Sequence, residues 1–352
     1  MKEIKLAVVG LGAIARTHIG AMRALPTVRK PEVMPVLHTL VTRRPADVMD
    51  EAKAMGFAVV TDDLEAALAN VDAVDICTPN ALHRGAVEAA VAAGKAIYCE
   101  KPLSSNLADA TAMAEAVAAS GVVAQVALNY RYHPAVLRLK ALLDAGAIGE
   151  LFQFRVTYNH SGYLNAQVNK GWRSQAELSG GGALLDLGVH AIDFMQLLVG
   201  PLWLHHAETR TLVRQRVNVS NVSVDDWALL HVETEAGVPG VVETSRVALG
   251  AECQRVELYG AKGSLVVDLA TEGEPRLCAF DGTAPVVASI PATRLLPPAR
   301  LSLGRFVDTH QASLYHFLLR VAGVDPAPGW APGFADALAA ERLVYAALAR
   351  QG

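Results

Sequence analysis

The 352-residue chain is short of charge and short of cysteine. Charged side chains make up 19% of it, where a soluble domain carries about 25%. Thirty-one basic against thirty-five acidic residues leave a formal net charge of −4. That balance provides no electrostatic footprint for a nucleic acid or an acidic membrane surface. Cys77, Cys99, Cys253 and Cys278 form no Cys-x-x-Cys pair, so a disulfide framework is excluded and no metal is expected. No apolar run reaches the roughly 20 residues that span a bilayer. The opening MKEIKLAVVG has no apolar leader with a cleavage site, and Arg43-Arg44 lies too deep for a twin-arginine signal. A cytoplasmic protein without nucleic-acid or membrane partners is expected. The absence of Gly-x-Ser-x-Gly removes the nucleophile elbow of a serine hydrolase.

Apolar residues are abundant. At 52% hydrophobic the chain can bury a large core, which excludes disorder, and its length suits two domains. The first third alternates apolar runs (Lys5–Val9, Val36–Val41, Ala73–Cys77, Ala96–Cys99, Val122–Ala127) with Ala-rich helical stretches such as Leu107–Ser120. This pattern predicts parallel βαβ units in a doubly wound Rossmann sheet over residues 1–127. From Leu151 the period changes to two, and Ser223–Thr234, Gly240–Val247, Arg255–Tyr259 and Ser264–Asp268 follow across short turns. Residues 128–352 are therefore expected to form an α+β domain with a large, mostly antiparallel open sheet. A sheet face left uncovered by helices would need a partner, so a homodimer or homotetramer is expected.

Gly10-Leu11-Gly12-Ala13-Ile14-Ala15 follows the first strand and opens a helix. The first glycine permits the tight turn, the second admits a pyrophosphate, and Ala15 meets the need for a small third residue. The helix N-terminus then offers N–H groups to phosphate, although a tight turn without a ligand has the same pattern. The second strand runs into Thr42-Arg43-Arg44 and lacks the acid that would accept from the ribose hydroxyls of NAD. A hydroxyl and two guanidinium groups suit the 2′-phosphate of NADP(H), with NAD(H) possible and a solvated basic turn as the alternative.

Ala183–Val199 is apolar on most of its circumference and reads as a buried helix. Asp186, His190 and Asp193 interrupt it at i, i+4 and i+7 on one stripe. Two readings stand: an intrahelical pairing, or a catalytic acid/base, since imidazole titrates near operating pH. His205-His206, His310 and His316 lack metal-ligand spacing.

Cys77-Thr78-Pro79-Asn80-Ala81-Leu82-His83, Glu100-Lys101-Pro102-Leu103, Asn129-Tyr130-Arg131-Tyr132-His133-Pro134 and Gly180 to His190 keep one order along the chain. Together with Val256 to Leu265 they resemble the Gfo/Idh/MocA oxidoreductases from about Ile4 to about Asp268. The resemblance implies a Rossmann domain followed by an α/β domain, and hydride transfer between a nicotinamide and a carbinol or carbonyl carbon of a sugar or cyclitol. It implies catalysis by Lys101, Asp186 and His190: His190 takes the proton, Lys101 stabilises the substrate oxygen and Asp186 orients the substrate. Gly10, Gly12, Ala13, Ile14, Thr42, Arg43, Arg44, Thr78, Pro79, Asn80, His83, Glu100 and Lys101 are the candidate cofactor contacts. Tyr130, Arg131, Tyr158, His160, Trp172 and Arg173 are candidates for substrate. Many relatives carry an acid where this chain has Thr42. Two alternatives to a sugar dehydrogenase are a non-catalytic NADP(H)-binding sugar sensor and a reductase of a dihydrodiol or imine.

Overall fold

Six parallel strands build the first sheet: β1 (Lys2–Val9), β2 (Val33–Val41), β3 (Val59–Thr61), β4 (Ala73–Ile76), β5 (Ala96–Cys99) and β6 (Ala124–Val126). Their spatial order, β3-β2-β1-β4-β5-β6, reverses beside β1, where open α/β sheets form ligand crevices. The crossovers are α1 (Ala13–Val28), α2 (Pro45–Ala54), α3 (Leu64–Ala69), α4 (His83–Ala92) and α5 (Leu107–Ser120). Every residue of β4 and β5 is buried, as strands covered on both faces must be. This computed structural model describes residues 2–217, 219, 221–271, 273–283 and 285–350.

The second sheet follows α6 (Pro134–Asp144), whose first turn is capped by the His133 ring accepting from the Ala135 N–H. It begins with β7 (Leu151–Asn159). After α7 (Ala176–Ser179) and α8 (Val189–Val199) come β8 (Leu202–Arg210), β9 (Trp227–Thr234), β10 (Pro239–Ser245), β11 (Cys253–Gly260), β12 (Gly263–Asp268) and β13 (Arg276–Ala279). The order is β13-β12-β11-β7-β10-β9-β8. Only the β7–β10 pair is parallel among the pairings of these strands, so the sheet is mixed. Along β7, Phe154 and Val156 are buried while Gln153 and Arg155 are exposed, the signature of one covered face. The two edge strands, β8 and β13, were not expected from the sequence.

α9 (Arg305–Val321) and α10 (Phe334–Ala349) end the chain. By packing it forms two units, Met1–Ser104 with Ala108–Tyr132 and Arg294–Leu338, and Ser105–Leu107 with His133–Thr293 and Ala339–Gly352. A single boundary at 127/128 does not describe this division, because α9 completes the core of the first unit. Ser313 accepts from the Tyr98 hydroxyl at 2.8 Å on its side chain and from Gln125 Nε2 at 2.9 Å on its carbonyl. Gln311 Nε2 donates to the Ala21 carbonyl at 2.9 Å. One stretch among the described residues, Ala176–Val199, is long and apolar enough to cross a membrane, but 78% of its most apolar window is buried inside the protein.

Candidate active site

The turn between β1 and α1 is built for glycine. Gly10 has φ +94°, and a Cβ there would stand 3.0 Å from the Cys77 carbonyl oxygen. Its N–H donates to the Val41 carbonyl at 2.8 Å, tying β1 to β2. At Gly12 a Cβ would meet nothing within 4 Å, and no side chain caps α1. The helix start is thus open to an anion at its positive end, with Ala13 and Ile14 in its first turn. Ala15 is fully buried, as the third position of the loop requires. These features fit a dinucleotide pyrophosphate. Thr42 follows β2, its N–H donating to the Thr61 carbonyl at 2.8 Å. Arg43 and Arg44 are exposed beside it, with Arg44 3.9 Å from Asp47.

The loop after β4 carries Thr78, Pro79 and Asn80, the last opening a single 3₁₀ turn to Leu82. The Thr78 hydroxyl is buried without a hydrogen-bond partner. His83 is fully buried, with Nε2 2.9 Å from the Thr78 carbonyl and Nδ1 3.0 Å from the Pro102 carbonyl. Its ring therefore braces the loops after β4 and β5 against each other. Backbone carbonyls thus face both of its ring nitrogens, of which a neutral imidazole donates from one. Burial lowers its pKa, opposed by the Thr78 carbonyl. After β5, Glu100 is buried and its Oε2 accepts from the Lys101 N–H at 3.1 Å; the Lys101 side chain is half-buried.

Two histidines converge on Glu100: His18, not singled out from the sequence, and His310. His18 of α1 is fully buried, with Nδ1 3.1 Å from both Asp75 carboxylate oxygens and Nε2 3.1 Å from Glu100 Oε1. The Glu100 contact is poorly directed for a hydrogen bond and acts through charge. Burial would strip the proton from His18, but the Asp75 charge holds its pKa well above the ordinary imidazole value. Burial raises Glu100, while the adjacent His18 and its charge bring it below the usual carboxylate range. His310 of α9, ring centroid 5.2 Å from that of His18, is pushed down to about 3 by burial and by the His18 charge. His18, Asp75 and Cys77, and separately His18, Glu100 and His310, bring ligand-type atoms within 4.8 Å of one another.

In the second unit the glycine run meets a buried acid. A Cβ on Gly182 would lie 1.8 Å from the Asp225 carbonyl oxygen. The Asp225 carboxylate accepts the Gly182 and Leu184 N–H groups, both at 2.7 Å. From this anchor the chain makes a π-helical turn, Leu184–Gly188, before α8 begins. The expected uninterrupted α-helical stripe is corrected here: Asp186 sits on the wide turn, while His190 and Asp193 sit on α8. Such turns recur at functional sites because they re-aim side chains within a helix. Asp186 is half-buried, His190 is 7% exposed and Asp193 is buried.

Asp186 acts electrostatically on His160, opposing the burial that lowers the His160 pKa. The His160 ring lies tilted against Tyr163, a ring the sequence reading missed, with centroids 6.0 Å apart. Arg246 lies 4.0 Å over that ring, Lys170 4.7 Å and Arg216 5.5 Å. Buried Asp226 lies 3.5 Å from Arg216 and 3.9 Å from Arg246. Arg173 stacks on Trp172 at 4.5 Å within the turn Gly171–Ser174, and Tyr158 is half-buried at the end of β7. Tyr130 and Arg131 belong instead to the first unit. Arg131 is 4% exposed, pairs with Asp336 at 3.0 Å, and its carbonyl accepts the Trp330 indole N–H. The Arg131 guanidinium thus ties the turn Asn129–Tyr132 to α10.

Residues 4–128 match the model of an oxidoreductase family with an NAD-binding Rossmann fold, and residues 136–266 match the GFO/IDH/MocA C-terminal domain. Across 99% of this chain and 97% of the relative, the sequence is 30% identical to levoglucosan dehydrogenase of Pseudarthrobacter phenanthrenivorans. The chain belongs to the Gfo/Idh/MocA oxidoreductase family. A second relative in curated form, inositol 2-dehydrogenase of Rhizobium meliloti, is 25% identical over 98% of this chain and 96% of its own. A solved levoglucosan dehydrogenase, in complex with NADH and levoglucosan, superposes with a TM-score of 0.87 at 28% identity, covering 100% of this chain and 98% of that one. This Gfo/Idh/MocA member is thus an oxidoreductase, with the NAD-binding sheet in its first unit and a mixed sheet in its second.

Proposed function

We propose that this protein is an NADP-preferring dehydrogenase of a sugar, sugar derivative or cyclitol, interconverting a carbinol and its carbonyl. The observation that carries the reading is the presence in one chain of an uncapped glycine-loop helix and of Asp186 on a π turn, with His190 on the helix that follows it. The sugar and cyclitol dehydrogenases among its relatives agree with this substrate class. When bound, the cofactor supplies the hydride acceptor. His190 takes the proton from the substrate hydroxyl, Lys101 donates to the substrate oxygen as negative charge develops, and Asp186 orients the polyol. Tyr158, His160, Trp172 and Arg173 provide ring and polar contacts for hydroxyl groups, with Tyr130 as a further candidate. Following nicotinamide absorbance with NADP+ and NAD+ across aldoses, anhydrosugars and inositols tests the reading. Tight NADPH binding with no turnover on any polyol would overturn it.

Thr42, Arg43 and Arg44 support the NADP preference, because no carboxylate stands where β2 ends. Thr42→Asp with Arg43→Ala should lower the NADP/NAD ratio of kcat/KM at least tenfold, in line with losing a charged hydrogen bond of about 1.5–3 kcal/mol. An unchanged ratio places the 2′-phosphate elsewhere. The open face of the second sheet exposes Trp203 and Arg155, and we infer that it is covered by a second copy in a dimer or tetramer. Sedimentation at micromolar concentration should show no monomer; a monomer alone would refute this. A reducing, cytoplasmic setting accords with the four free cysteines.

A further inference from the structure

We propose that His18 is a positioning residue for Lys101: as a buried cation between Asp75 and Glu100, it holds the Glu100 carboxylate on the Lys101 backbone and away from the Lys101 ammonium. The inference rests on the reading of Lys101 as the group that meets the substrate oxygen.

The observations form a continuous chain of contacts. His18 lies on the inner stripe of α1 with Ala15, Ile19 and Met22, where an apolar residue would ordinarily stand. Nδ1 lies against Asp75 and Nε2 lies 3.1 Å from Glu100 Oε1. The other oxygen, Oε2, accepts from the Lys101 N–H at 3.1 Å. One imidazolium therefore links the middle of β4 to the turn after β5. The groups facing it from the remaining elements leave it as the charge that matters. Cys77 has Sγ 3.4 Å from Nδ1, and burial pushes its thiol far up. Burial also raises the Tyr98 hydroxyl, which donates to Ser313. His310 is neutral at working pH.

Two buried carboxylates thus share the His18 cation, and the Lys101 charge also acts on Glu100. Removing the first cation leaves Glu100 with only the second. A buried carboxylate deprived of its partner takes the nearest cation, because an unpaired charge in a dry interior is costly. Lys101 would then be held protonated and drawn off the substrate.

The test reads the charge on Lys101 without turnover, by competitive acetylation with acetic anhydride and mass spectrometry of the intact-chain digest. In His18→Gln, Lys101 should label at least tenfold more slowly at pH 8, with kcat falling, cofactor KM little changed and the alkaline limb of the pH profile moved upward. His18→Gln combined with Glu100→Gln removes the stray charge and should restore labelling to within about threefold of the unaltered protein. A rescue of this kind is not expected if His18 only fills space. Asp75→Asn gives a second approach should His18→Gln fail to fold, and should slow labelling by a smaller factor. Unchanged labelling in the folded single variant, or equally slow labelling in the double variant, overturns the proposal. Lys101→Met separates the two claims. Turnover surviving that change removes the catalytic reading of Lys101, while the labelling still decides the role of His18.

Discussion

Replacing His190 with alanine is expected to lower turnover by about 10²–10⁴-fold, the range for losing a positioned general base. NADPH affinity should stay within about threefold. The expectation comes from where the parts lie: His190 is on α8 in the second unit, whereas the glycine loop and the β4 and β5 loops belong to the first. A loss confined to kcat, measured by nicotinamide absorbance beside NADPH fluorescence titration, identifies a group that acts on the reacting hydroxyl. Loss of both properties would show that a buried histidine, 7% exposed, holds the fold rather than the proton.

Asp225→Ala should cost about 2–5 kcal/mol of stability, read as a shift in the urea unfolding midpoint. The carboxylate is buried and satisfies the Gly182 and Leu184 N–H groups together. Each buried donor left unsatisfied costs about 1–3 kcal/mol. Burial raises the Asp225 pKa, opposed first by the Leu184 N–H and then by Arg246. Asp225→Asn keeps one accepting oxygen and should lose about half as much. A midpoint unchanged in the alanine variant would mean that the π turn holds itself, without help from the strand side.

Most of the first unit was legible because its signals are local. α5 spans Leu107–Ser120, as its Ala-rich periodicity predicts, and β5 spans Ala96–Cys99. β8 escaped because Pro201 precedes it, two histidines interrupt it, and its register shifts between Leu204 and His206. The π turn escaped for a different reason. An apolar helical sequence does not distinguish a regular turn from a wide one, and the carboxylate that accepts from the turn's first N–H, at Leu184, lies 41 residues away at Asp225. The His18 cluster had a visible sign that went unused: a histidine on the apolar stripe of α1, and Asp75 inside the otherwise apolar run Ala73–Cys77. What could not be read was their meeting, which needs α1, β4, β5 and α9 folded together.

The return of α9 to the first unit has a consequence for how the protein is made. Tyr98, Gln125 and Ala21 find their hydrogen-bond partners at Ser313 and Gln311, close to the end of the chain. Arg29 likewise donates to the carbonyls of Arg294 and Leu295. During synthesis the nucleotide-binding sheet must therefore wait, with these polar groups unmatched, while more than half the polypeptide is still to emerge. The unit whose synthesis begins first is not completed until α9 has emerged.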